Sequence, residues 1–305
     1  MTADWQLIHP IALDEQNQRL YVSTSVSKTV VLDAETLTQI GEIDSGGSVA
    51  VLPERDQLYI GVPGAIYHDG TPNVSAQLRV YDASTLAFRR SAAFSDTSAI
   101  APLAVPDPQT GRVYIVHQGV YIADADSLEI TGNLSGTLLT PGTYGYSLFA
   151  VDAAIDSARQ RLFVSLNNGV PGSNNGNILY VYDLSNGQLI NHDYERSIFS
   201  LALDPAAGTA YAPRSHMSGA ALVKYDAHGD VLRRLESVAG KVQFDPIRNR
   251  IYLLNTYPPH VVVLDRDLNY GGEVGFDQLA GVIDYAIDAA RDRLFVLTSG
   301  GRLQV

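Results

Sequence analysis

Seven histidines are the first residues to test for chemistry: His9, His68, His117, His192, His216, His228 and His260. No two of them stand in an HxH, HExxH or HxxxH spacing, so the sequence carries no histidine metal motif. There is no cysteine, which removes thiolate ligands, thiol nucleophiles and a disulfide framework. NNGVPGSNNGN (167–177) is rich in amide and carbonyl oxygens but lacks the acidic ladder of a calcium loop. DAHGD (226–230) is too short for an EF-hand. No GxGxxG opens a helix and there is no Walker loop, so no cofactor and no metal are expected. LRRLE (232–236) is a lone basic pair that reads as a solvated strand face.

What remains is a set of loop residues suited to contact. Tyr67, Tyr144, Tyr146 and Tyr257 lie near PGT or PPH turns. Loop tyrosines bring much contact area at low entropic cost. His68 with Asp69, His117, His216 and His260 lie in or beside loops, where any one of them reads first as a solvated or turn histidine. The candidate ligand-binding set is Tyr67, His68, Asp69, Tyr144, Tyr146 and Asn167. The tyrosines would stack, and His68, Asp69 and Asn167 would orient a polar ligand by hydrogen bonds.

The elements that must position these residues follow from a repeat. An aromatic residue recurs at Tyr21, Tyr59, Tyr114, Phe163, Tyr211, Tyr252 and Phe295, spaced by 38 to 55 residues. Seven positions earlier stands an aspartate in six copies: Asp14, Asp107, Asp156, Asp204, Asp245 and Asp288. The second copy has Leu52 there, followed by Pro53. An arginine opens the second stretch at Arg19, Arg112, Arg161, Arg250 and Arg293. A further phrase ends at Asp33, Asp82, Asp124, Asp183, Asp226 and Asp265, followed by a turn and a fourth apolar stretch such as LTQIGEI (37–43). Each unit reads strand, tight turn, strand, loop, strand, turn, strand. No segment holds a helical period over more than two turns.

Four strands every 40 to 50 residues is the signature of propeller blades. The expected fold is all-β: a seven-bladed β-propeller with four antiparallel strands per blade. The repeated aromatics should fill the gap between sheets. The aspartates should accept backbone N–H groups at turns. LQV (303–305) matches the beginning of a third strand in the seventh copy, and TADWQLI (2–8) falls where its fourth strand is due. The last blade is therefore expected to be closed by the N-terminal strand, within a single domain spanning 1–305. Such a splice leaves no open edge.

LYVSTSVSKTVVLDAETLTQIGEI (20–43) resembles the YVTN-type repeat of bacterial and archaeal surface and extracytoplasmic propellers. AVPDPQTGRVYIV (104–116) is similar to the P-D-G-x-x-x-Y-V joint of that repeat, with Asp-Pro in place of Asp-Gly. The resemblance covers essentially the whole chain. It implies an extracellular or cell-surface place. Its members include surface-layer and adhesive proteins, lactonase-like hydrolases, an antibiotic-opening lyase and cofactor-bearing redox enzymes. None of their catalytic constellations maps onto this chain residue by residue.

Length variation points to one face. The turn before each aromatic is constant, whereas GVPGAIYHDGTPNVSAQ (61–77), SGTLLTPGTYGYS (135–147) and LNNGVPGSNNGN (166–177) are insertions. All three fall on second-to-third-strand loops or blade-to-blade connections, which share one face of a propeller. Function concentrates in such loops on a rigid scaffold.

Bulk properties set the outer limits. The balance of 46% hydrophobic and 18% charged residues is that of a globular chain. A net charge of −12 repels phosphate backbones, so nucleic acid is not an expected partner. No run approaches the length of a membrane span. MTADWQLIHP lacks a basic region followed by an apolar core, so no signal peptide is expected and the cytoplasm stays open. The leading expectation is a monomeric, non-catalytic binding propeller for a protein or a glycan. The alternatives are a lactonase-like hydrolase or lyase with its site at the channel mouth, and a structural segment of a longer surface protein.

Overall fold

The computed structural model describes residues 9–25, 27–64, 74–94, 101–134, 149–167, 177–193, 198, 200–216, 219–238, 240–256, 259–275, 282–298 and 301–305. Within them the chain forms seven antiparallel sheets, each a meander of consecutive strands. The first holds β1 (Ile11–Asp14), β2 (Arg19–Ser25), β3 (Lys28–Asp33) and β4 (Gln39–Ile43). The second holds β5 (Ser48–Leu52), β6 (Gln57–Val62), β7 (Gln77–Asp82) and β8 (Phe88–Ala93). The third holds β9 (Leu103–Asp107), β10 (Arg112–Val116), β11 (Val120–Asp124) and β12 (Ile130–Asn133). The fourth holds β13 (Phe149–Asp156), β14 (Arg161–Asn167), β15 (Asn177–Asp183) and β16 (Gln188–Asp193). The fifth holds β17 (Ala202–Asp204), β18 (Thr209–His216), β19 (Gly219–Tyr225) and β20 (Val231–Glu236). The sixth holds β21 (Lys241–Asp245), β22 (Arg250–Thr256), β23 (Pro259–Asp265) and β24 (Tyr270–Gly275). The seventh has three strands among the described residues: β25 (Val282–Asp288), β26 (Arg293–Thr298) and β27 (Leu303–Gln304).

Burial follows strand position. Second strands are continuous apolar runs, as expected of strands covered on both faces. Leu20 and Tyr21, Leu58 to Ile60, and Val113 to Ile115 are fully buried. Fourth strands are largely exposed instead, as in β20 and β24, and β16 alternates exposed and half-buried residues along its length. Neighbouring sheets bury their facing flanks. Leu78, Val80 and Tyr59 of the second sheet pack with Val113, Ile115 and Ala123 of the third. Val223 and Tyr225 of the fifth pack with Leu179 and Val181 of the fourth. The chain divides into two compact units, residues 1–133 with 284–288 and residues 134–283 with 289–305.

The repeat residues act as turn formers. Asp14 Oδ1 accepts from Asn17 N, Asp204 Oδ1 from Ala206 N and Ala207 N, and Asp245 Oδ1 from Ile247 N and Arg248 N. Where the second copy lacks the aspartate, Pro53–Arg55 forms a single 3₁₀ turn. Three residues before the aromatic, every copy places a left-handed residue: Gln18, Asp56, Gly111, Gln160, Gly208, Asn249 and Asp292. A second left-handed position follows the third strand, and four leucines occupy it: Leu37, Leu86, Leu128 and Leu268. A left-handed L-residue costs about 1–2 kcal/mol. Leu128 and Leu268 are buried there, and burying a leucine contributes about 1.5–3 kcal/mol, enough to offset the strain.

Tyrosine hydroxyls add a stitch that apolar packing alone does not provide. Tyr21 Oη donates to Ala83 O at 3.0 Å, and Tyr211 Oη donates to Arg266 O at 2.9 Å. Both carbonyls follow the third-strand aspartate of the next sheet. Tyr59 does the same through Gln57, whose amide donates to Ala125 O at 3.0 Å. The fourth apolar stretch begins later than expected, at Gln39 and not Leu37, because Leu37 is spent on the turn.

Candidate functional site

The two ends of each sheet differ in how their polar groups are used. At the end carrying the constant turns, carboxylates serve backbone and neighbours. Hydrogen bonding from Arg89 holds Asp82 below the usual carboxylate range. Bonds from the Ser127 backbone, the Ser185 hydroxyl and the Asn269 amide do the same for Asp124, Asp183 and Asp265. Arginines there tie sheet to sheet. Arg19 bonds to Ala83 O and Ser84 O, Arg159 to Pro205 O and Ala206 O, and Arg248 to Ala289 O. At this end, carboxylates and arginines are taken up by turns and by bonds between sheets.

The opposite end carries the insertions, and strand pairing fixes where each begins. Val62 pairs with Gln77 across residues 63–76, and Asn167 pairs with Asn177 across residues 168–176. Corresponding hairpins elsewhere are tight: Ser25 pairs with Lys28, Val116 with Val120, His216 with Gly219 and Thr256 with Pro259. The third insertion, 135–147, lies between β12 and β13. Of the candidate contact residues, Tyr67, His68, Asp69, Tyr144 and Tyr146 lie outside the described residues. Asn167 is the last residue of β14, paired with Phe149 and Asn177. It stands at the base of its loop.

The other histidines divide by position. His117 is a turn residue, but a buried one at 1% exposure, with its ring 5.3 Å from that of Phe94. His192, His216 and His260 lie on strands β16, β18 and β23. His228 N donates to Asp226 in a turn at the constant end.

Three polar features at the insertion end escaped the motif search. Arg214 of β18 is 5% exposed and bonds to Asp193 of β16 and to Tyr225 Oη. Its guanidinium also sits over the Tyr225 ring, 5.4 Å from the centroid. Burial pushes the Tyr225 phenol well above its ordinary value. This cluster clamps the fourth sheet to the fifth. The second feature is a row eleven residues before the repeated aromatic: Ser48, Asp152, Ser200, Lys241 and Asp284. Asp152 Oδ2 accepts Leu201 N at 2.5 Å, and Ser200 Oγ accepts Val242 N at 2.9 Å. Asp152 and Ser200 thus each fasten one sheet to the start of the next. The third is His9, whose Nδ1 lies 3.9 Å from Asp284 Oδ2. The row was visible in the sequence as polar residues at a fixed offset inside apolar strands.

Among the described residues no group of three or more His, Asp or Glu could hold a metal ion, and no helix is long and apolar enough to cross a membrane. No known protein family matches the sequence, and no curated protein matches it. Among solved structures the chain is similar to one in the crystal structure of the mitotic checkpoint complex, with a TM-score of 0.75 at 12% identity. That alignment covers 99% of this chain and 90% of the other. The fold is a seven-bladed β-propeller. At this identity the likeness is one of fold, and propellers host unrelated activities. What distinguishes this propeller is the contrast between its two ends, one closed by turns and the other extended by loops.

Proposed function

We propose that this propeller is a non-catalytic binding module that recognises a protein or a glycan through the long loops of its second to fourth blades. One observation supports this most: hairpins that elsewhere close tightly are replaced by residues 63–76 and 168–176, on strands whose pairing is intact up to the loop. A scaffold that keeps its register while extending one set of loops is built to present them. Tyr67, His68, Asp69, Tyr144, Tyr146 and Asn167 are the proposed contacts. The Tyr-Val and V-x-V-x-D phrases favour a YVTN-type, surface or extracellular setting. The similar solved chain comes from a complex, which agrees with a binding role. We further propose that the chain is one domain whose seventh blade takes its fourth strand from residues 2–8, which lie outside the described residues.

The test is a set of three variants. Residues 63–76 and 168–176 are each replaced by Asn-Gly, the residues that favour a two-residue hairpin. Residues 135–148 are shortened to the length of the 44–47 connection. Each variant and the full chain are compared on a glycan array and by cross-linking to intact bacterial cells, with melting followed in parallel. The expected result is unchanged melting with loss of binding. Binding that survives all three truncations, or hydrolysis of simple lactones by the full chain, overturns the reading.

A further inference from the structure

One third-strand residue is out of place by type. Three positions before the third-strand aspartate, the first six sheets carry Val30, Arg79, Tyr121, Tyr180, Val223 and Val262. Apolar or aromatic residues fill that position in every sheet but the second, as strands covered on both faces require. Leu78 and Val80 pack toward the third sheet, so Arg79 between them faces the first. It is half-buried there. A charge in such a position costs desolvation unless it is paired.

The partners of Arg79 are neutral. Its Nε donates to Gln77 Oε1 at 3.1 Å and its Nη1 to Ser45 Oγ at 3.5 Å. Among the described residues no carboxylate bonds to it. Arginines toward the constant turns are treated otherwise: Arg55, Arg89, Arg161, Arg248 and Arg266 each pair with an aspartate. On β4, Glu42 is taken by Lys28. A guanidinium has five N–H donors, and these two bonds leave the others unspent. The position is equally specific. Gln77 pairs with Val62 at the base of residues 63–76, and Arg79 lies two residues further along the same face of β7. Ser91, an exposed residue of β8, pairs with Arg79.

We propose that Arg79, with Gln77, Ser45 and Ser91 around it, is a recognition point for the carboxylate of an acidic sugar. The site rests on the binding role proposed above for residues 63–76 and names the chemistry recognised there. Paired guanidinium N–H groups match the two oxygens of a carboxylate. The chain's net charge of −12 disfavours a polyanion, so a ligand with single carboxylates fits better than a phosphate-rich one. The amide and the two hydroxyls complement sugar hydroxyls. A protein partner would call for an apolar centre. Between Ile11 and Ala93 the exposed large apolar residues are Ile40, Val74 and Phe88, and Ile40 and Phe88 stand at fourth-strand bulges near the constant turns.

The test uses the full chain with Arg79→Val and Arg79→Gln. Arg79→Val installs the residue that three other sheets carry, and should melt within about 2 °C of the unsubstituted chain. A larger loss makes the arginine a structural residue and overturns the proposal. Binding is read on an array of glucuronate-, galacturonate- and mannuronate-containing oligosaccharides beside their carboxyl-reduced, neutral counterparts. The unsubstituted chain should bind an acidic oligosaccharide about tenfold more tightly than its reduced form. Arg79→Gln should remove that preference and leave affinity for the reduced form unchanged. Binding of neutral glycans alone, or an acid preference that survives Arg79→Gln, overturns the carboxylate site and leaves the loop reading standing. Cross-linking to a cell-surface protein without glycan binding overturns it in favour of a protein ligand. Absence of all binding overturns both.

Discussion

The repeated tyrosines show how much one hydroxyl adds to a ring. Tyr21 and Tyr211 are fully buried, and each spends its hydroxyl on a carbonyl of the neighbouring sheet. Phe163 and Phe295 hold the equivalent position without that bond, so the ring is the common requirement and the stitch is optional. Burial pushes the phenols of Tyr21 and Tyr211 up to about 12, and those of Tyr59 and Tyr225 higher still. An unfolded chain ionises its tyrosines near about pH 10. The folded state therefore keeps protons that the unfolded state has lost, and stability falls as pH rises. The contribution is complete below about pH 10 and is lost as pH climbs through about 12. In an alkaline titration, tyrosinate absorbance from these residues should appear together with the loss of near-ultraviolet circular dichroism. Ionisation of all seventeen tyrosines with the fold intact would contradict this.

At the level of elements, backbone geometry sets the limits on substitution. Gly47 has φ +147°, and a Cβ there would lie 1.8 Å from Gly61 O; Gly240 repeats the situation against Leu254 O. Gly275, on the outer strand β24, has open space around it and an ordinary φ. Gly47→Ala and Gly240→Ala should each cost about 1–3 kcal/mol in urea unfolding, through strain and overpacking. Gly275→Ala should be near neutral. A comparable loss at all three positions would show that the close approaches are not decisive. The same elements show what the sequence made legible. Strand number, order and the aspartate turns could be read because alternation, Asp and Pro mark them locally. A bulge one or two residues before the third-strand aspartate could not be read. It recurs in all six described pairings of third with fourth strand, yet the extra fourth-strand residue has no fixed type: Ile40, Arg89, Thr131, Ile190, Leu232 and Gly271. Left-handed leucines were equally hidden, because their compensation lies in burial against another sheet. Of the candidate site, loop length and the polar row were legible, and the Arg214–Asp193 pair was not: the two stand 21 residues apart and meet only through packing.

For the molecule as a whole, the seventh sheet is the informative one. It shows three strands among the described residues where the others show four, and β27 pairs in register with β26 as a third strand should. If residues 1–8 complete it, their removal should lower the melting temperature by about 5 °C or more, a larger effect than most single substitutions produce. An unchanged melt would rule the closure out. The meander order within each sheet also has a consequence for biosynthesis. Every described pairing inside a sheet joins consecutive strands, so a sheet can assemble as soon as its last strand leaves the ribosome. Translation at about 5–20 residues per second delivers one repeat every 2–11 s or so, while a hairpin forms in about 1–10 μs. The flank formed by Leu78 and Val80 must then wait, uncovered, for Val113 and Ile115 to be made. The nascent chain thus carries a bare apolar flank for seconds at a time, and that interval is when a ribosome-bound holdase would have most to protect.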